Sequence, residues 1–186
     1  VAVGAPVGGG RVRSSRVRLA GARGLGVRRY LQPLYDPGAV AACVGAGVGT
    51  RVTLLVGGKD PDTPQPPVEV TGHVRLISDG RFEDPTPTHG GWRFFDGGTT
   101  VVLETTDDHT LVLTSTRIGN TSIEQMYSVG VWPEKKQVVV AKGVHSPLAA
   151  YAPLARAVIF CNTPALPPPD PPPCAYHRLP PPPHPS

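Results

Sequence analysis

The chain has 186 residues, a formal net charge of +4, and 24 prolines beside 22 glycines. Seven arginines and no acid fall within the first 35 residues, so the rest sums to −3 and the chain is not a uniformly basic nucleic-acid surface. No apolar run is long enough to span a membrane, and three distant cysteines without a CxxC pair suggest neither a disulfide framework nor a zinc ribbon.

A reducing, cytoplasmic setting is the simple expectation from that cysteine usage, and no signal peptide opens the chain. The sequence begins at Val1 and its one methionine is Met126, which reads as a fragment, a processed product or a partial frame. Residues 1–24 read as a basic, Gly/Arg-rich flexible end, residues 25–165 as one domain, and residues 166–186 as a Pro-rich disordered tail. Gly8-Gly9-Gly10 could wrap a phosphate, but no Gly-Lys-Ser/Thr ending or helix follows it.

Tyr35-Asp36-Pro37 is the clearest helix start. Asp36 can accept from the first free amides, Pro37 suits the first helical position, and Gly45 or Gly47 closes the helix. Val40 and Val44, four apart, are expected to pack on the sheet. Arg51–Gly57 is a short apolar strand, followed by a Pro-rich loop at 59–67 in which Asp60 and Asp62 oppose anion binding by Gly57-Gly58-Lys59. Val68–Leu76 alternates, with Val68, Val70, Val74 and Leu76 on one side, as a half-buried strand does. Trp92, Phe94 and Phe95 are expected in a strand or loop packed on the sheet. Thr99–Thr105 and Thr110–Ser115 flank Thr106–His109 as a hairpin. Asp107-Asp108-His109 has the ligand types of a metal site, yet its place between two apolar strands reads as a turn.

Thr121-Ser-Ile-Glu124 matches a capping box with Thr121 as cap, and Gly130 ends the short helix it opens. Gln137–Ala141 is a strand. Lys142–Pro147 follows at its carboxyl end, where open α/β sheets tend to place ligand sites. His145 beside Ser146 suggests base and nucleophile, but adjacent side chains diverge and a structural histidine is preferred. A short helix broken by Pro153 and a strand at 157–161 complete the domain. The fold class is mixed α+β, with a mainly antiparallel sheet and a few short helices.

Several of these segments, in order, resemble the carboxy-terminal domain of the MlrC (microcystinase C) family. They are Leu34–Val40, Ala46–Gly49, Val56–Lys59, Val68–Arg75, Leu76–Phe82, Val112–Arg117, Lys142–Pro147 and Val158–Pro164. The resemblance implies a zinc metallopeptidase that hydrolyses peptides, linearised microcystin among them. It also implies that the zinc ligands belong to an amino-terminal domain, so this chain carries no catalytic or metal-binding residue. Tyr35 and His145, which fall in matching motifs, are the substrate-cleft candidates. Implied partners are the missing amino-terminal catalytic domain and a peptide; no membrane is expected and nucleic acid is disfavoured. The changed composition at both ends departs from the family and reads as a shifted frame or a decayed copy. The alternatives are a noncatalytic ligand-binding domain, a nucleic-acid-binding arm, or a translated remnant without activity.

Overall fold

The computed structural model describes residues 2–6, 30–59, 66–87, 90–143 and 145–161. The Gly8-Gly9-Gly10 cluster, most of the arginine-rich end, the middle of the Pro-rich loop, His89, Cys174 and the tail lie outside them. The strands are β1 (Ala2–Pro6), β2 (Tyr30–Tyr35), β3 (Arg51–Val56), β4 (Val68–Ser78), β5 (Arg81–Glu83), β6 (Phe94–Asp96), β7 (Thr100–Thr105), β8 (Thr110–Thr114), β9 (Val138–Val140) and β10 (Ala157–Cys161). The α-helices are α1 (Pro37–Ala46), α2 (Glu124–Tyr127) and α3 (Leu148–Tyr151), with single 3-10 turns at Pro133–Lys135 and Ala152–Leu154.

Eight strands form one sheet in the order β10-β1-β9-β2-β8-β7-β4-β3, and β5 pairs with β6 as a separate ribbon. The fold is mixed α+β. The long ladders are antiparallel, β3 with β4, β4 with β7 and β7 with β8. From β8 outward through β2, β9, β1 and β10 the pairings are parallel. That half gathers the carboxyl ends of five strands along one edge.

β1 lies within the stretch that composition assigns to a flexible basic end. Nothing local marks it. It is a strand because β9 and β10, far along the chain, flank it on both sides. β2 is equally hidden, since Pro33 sits inside it, opposite Val112 of β8. Proline cannot donate to a ladder. On its other side β2 meets β9 only at Tyr30 and Leu31, so Pro33 lies beyond the end of that ladder.

Both faces of the sheet are covered. Leu34, Val70, Val74, Val101, Leu103, Leu111 and Leu113 pack with Ala39, Val40 and Cys43 of α1 on one side. Leu31, Val102, Val112 and Val139 pack with Met126, Val129, Val131 and Tyr151 on the other. Successive side chains of a strand face opposite ways, so β7 and β8, buried on both faces, read as continuous apolar runs.

Three local expectations are corrected. Val44 is 45% exposed, because the buried stripe of α1 runs through Ala39, Val40 and Cys43 and leaves Val44 on its flank. Leu76 does not share a face with Val70 and Val74. A register shift between Val74 and Leu76 puts one extra residue, Arg75, into β4 and moves Leu76 to the opposite cluster. At α2 it is the Ser122 hydroxyl that accepts from the Glu124 amide (3.2 Å), and Thr121 makes no cap.

Tyr151 is fully buried, and among the described residues its hydroxyl has no hydrogen-bond partner. Burial pushes its pKa up, and burial together with Glu134 pushes Tyr127 up to about 12. A tyrosine whose folded pKa is raised supplies stability that is complete below its unfolded pKa near 10 and is lost as pH climbs toward the folded value. Tyr151→Phe is therefore expected to keep or gain about 1 kcal/mol at pH 7 and to soften the loss of stability above about pH 10. Urea unfolding at pH 7 and pH 10.5 checks both, and a loss above about 1 kcal/mol at pH 7 would show a partner for the hydroxyl.

Candidate functional site

The site lies at the edge where the parallel strands end. Tyr35 closes β2 opposite Thr114 of β8, and the next amide, that of Asp36, donates to the Thr114 carbonyl (3.0 Å). The sheet thus hands the chain directly to α1. Asp36, 2% exposed, is the cap expected there, with one carboxylate oxygen accepting from the Ala39 amide at 2.9 Å. Its other oxygen accepts from the Gly57 amide at 2.8 Å, and Lys59 Nζ lies 2.9 and 3.0 Å from the two oxygens. Lys59 also donates to the Leu55 carbonyl at 2.7 Å. Asp36 and Lys59 therefore anchor the start of α1 to the end of β3.

The Arg117 guanidinium lies over the Tyr35 ring at 4.3 Å, a cation–π distance. Arg117 lies in the loop that leaves β8 after Thr114. That loop is fixed by Asn120, a buried side chain whose amide donates to Gln125 Oε1 (3.0 Å) and whose carbonyl accepts from the Lys142 amide (2.9 Å). Lys142 opens the segment that carries His145. Asn120 thus joins the loop after β8 to the loop after β9, and so ties the neighbourhoods of Tyr35 and His145 to one edge.

His145 itself is exposed, and its carbonyl accepts from the Leu148 amide (3.0 Å) at the start of α3. No hydrogen bond or ring contact joins it to Tyr35. The two cleft candidates share an edge, but they do not form a constellation. Sequence reasoning missed Asn120 and did not single out Arg117 within Val112–Arg117. A signal was present, since Arg117–Asn120 follows an apolar strand at its carboxyl end, as Lys142–His145 does.

Beside this edge stands the β5–β6 ribbon. Phe82 and Phe95 stack across it at 4.8 Å, and Arg81 pairs with Asp96 at 3.2 Å. Gly98 N and Arg81 hold the Asp96 carboxyl below its ordinary pKa. The expectation that the nearby aromatics pack on the sheet holds for neither Trp92 nor Phe94, which are 69% and 72% exposed. With Phe95, Arg117, Ile118 and Thr121 they line a groove of about 310 Å³.

Among the described residues, no three His, Cys, Asp or Glu side chains converge so as to hold a metal ion. Asp107-Asp108-His109 has the geometry of a hairpin tip: Asp108 takes φ 59°, and the Thr105 amide donates to the His109 carbonyl at 2.8 Å. The described residues do not fit a zinc site. No helix among them is long and apolar enough to cross a membrane.

The model of the family described as "MlrC C-terminus" matches residues 6–178. The chain belongs to that family. The match covers all the strands from β2 onward and runs into the Pro-rich tail. A crystal structure of a protein from Mesorhizobium sp. BNC1, named "Putative metallopeptidase", is similar to this chain with a TM-score of 0.76 and 26% sequence identity. The similarity covers 89% of this chain and 34% of the Mesorhizobium protein, so this MlrC C-terminal chain spans about a third of that relative. No curated protein matches it.

Proposed function

We propose that this chain is the carboxy-terminal, non-metal-binding part of an MlrC-type zinc metallopeptidase acting on peptides such as linearised microcystin, and that alone it is inactive. The observation that carries the reading is the family match over residues 6–178 together with the likeness to one third of the Mesorhizobium protein. In this reading metal and base come from the amino-terminal part of the complete enzyme. The contribution of this chain is to shape one wall of the cleft and hold the peptide against it.

The parallel-strand edge suits that role. Its loops are held by buried polar contacts through Asp36 and Asn120, so side chains placed on them lose little freedom when a peptide docks. Tyr35 offers a ring and a hydroxyl there, and His145 offers an exposed imidazole on the neighbouring loop. Neither has a geometric claim to nucleophile or base.

The test is a chimera in which this chain replaces the matching third of the Mesorhizobium protein, assayed on short linear peptides with zinc present. Tyr35→Ala and His145→Ala in that chimera are expected to raise KM or lower kcat/KM by about tenfold or more, with metal content unchanged. Turnover unaltered in both variants would remove these residues from the cleft.

A further inference from the structure

Two large aromatic side chains, Trp92 and Phe94, are exposed at a groove of about 310 Å³ that Ile118 and Thr121 also line. Ile118 follows β8, so the groove borders the edge on which the five parallel strands end. The last of these in the chain, β10, ends at Cys161 on that same edge. The sequence beyond it runs Leu-Pro-Pro-Pro-Asp-Pro-Pro-Pro over residues 166–173.

A run of prolines favours the polyproline II helix, which has three residues per turn and no internal hydrogen bonds. Such segments dock in aromatic-lined grooves, where a preformed helix loses little freedom on binding. Ring packs on ring, so nothing is asked of the Arg117 donors. At about 310 Å³ the groove is at the small end of ligand sites, which suits a single turn about 9 Å long. β10 and β8 stand four strand spacings apart in the sheet, about 19 Å. The six residues from Cys161 to Pro167 can extend about 21 Å, so the first prolines reach the end of β8.

We propose that residues 167–173 of this chain dock as a polyproline II segment in the groove at Trp92 and Phe94. Composition and reach select this occupant: the kind of segment that exposed aromatic rings recognise leaves the sheet along the same edge. A short tether holds such a segment at an effective concentration of about 1 mM, so modest intrinsic affinity fills the groove. Docking concerns this chain alone and does not rest on the peptidase reading, because no turnover enters the measurement.

The experiment uses the full 186-residue chain with Trp132→Phe, which leaves Trp92 as its one tryptophan. Its emission and acrylamide quenching are compared with those of a variant that also carries Pro167→Ser, Pro168→Ser, Pro169→Ser, Pro171→Ser, Pro172→Ser and Pro173→Ser. The six proline substitutions are expected to shift Trp92 emission to the red and to raise its quenching. A fluorescein-labelled peptide of residues 166–173 should then bind the six-proline variant saturably, with a Kd below about 1 mM by anisotropy. Trp92→Ala in that variant, a change at an exposed position, should weaken the peptide by at least about fivefold. Identical Trp92 emission and quenching with and without the prolines, a Kd above about 1 mM, or unchanged affinity in Trp92→Ala would each overturn the proposal. So would shielding of Trp92 that is lost on dilution, which would give the prolines to the groove of a second copy.

Discussion

Asp36→Ala is expected to lower the free energy of unfolding by about 3 kcal/mol. Two losses add. Loss of an Asp cap from a helix costs about 1 kcal/mol. The buried Gly57 amide, which donates to Asp36 at 2.8 Å, loses its acceptor, and a buried donor left without one costs about 1–3 kcal/mol. Lys59 adds little to this sum, because its side chain is 43% exposed and water can take over its charge. Lys59→Met should consequently cost only about 1 kcal/mol, since Asp36 keeps both amide donors. Equal losses in the two variants would mean that the ion pair, and not the backbone amides, is what Asp36 supplies. Urea unfolding of both variants separates the cases.

Gly80→Ala should be comparably severe, by about 3 kcal/mol, for a steric reason. Gly80 has φ 70°, a left-handed conformation that costs an L-residue about 1–2 kcal/mol. A methyl group there would also stand 2.1 Å from the Gly98 carbonyl oxygen and 2.4 Å from Thr100 Oγ1. Backbone must move to admit it. The movement falls at the junction of β4 with the β5–β6 ribbon, where the Gly97 amide donates to the Gly80 carbonyl (3.0 Å), so the ribbon and its groove should shift with it. Gly91→Ala is the control on the same ribbon. Its φ is 68°, yet nothing lies within 4 Å of the added carbon, so only the conformational cost of about 1–2 kcal/mol is expected. If both variants lose the same amount, the close approach at Gly80 is without consequence.

What the sequence made legible was local. Asp36-Pro37 announced α1 because capping and the proline's fixed φ act within one turn. The alternation from Val68 announced β4, and Thr106–His109 announced its hairpin, because period and turn chemistry are read over a few residues. The alternation misled only past Val74, where the extra residue reverses the faces. The parallel half was not legible. β1 is only five residues long and holds Gly4 and Pro6, and β2 contains Pro33; each is a strand by virtue of partners far away in the chain.

The site divides in the same way. Tyr35 and His145 were reached through a resemblance of motifs, and the structure puts both at the parallel-strand edge without contact between them. Asn120, which ties the two loops together, looks like any polar loop residue until its burial and its two partners, Gln125 and Lys142, are seen. Trp92 and Phe94 read as packing residues by type, since large aromatics are usually buried. Their exposure reflects the ribbon's separation from the main sheet, a tertiary fact with no local signature.

The central claim is that this chain completes a peptide-hydrolysing enzyme and does not hydrolyse peptides by itself. The most direct measurement is the zinc-dependent rate of cleavage of a linear peptide by three purified proteins: this chain, the Mesorhizobium protein without its matching third, and the two joined as one polypeptide. Cleavage is expected from the joined protein and none above background from either part. A joined protein that folds and takes up zinc yet cleaves nothing, or a chain that cleaves peptides alone, would contradict it.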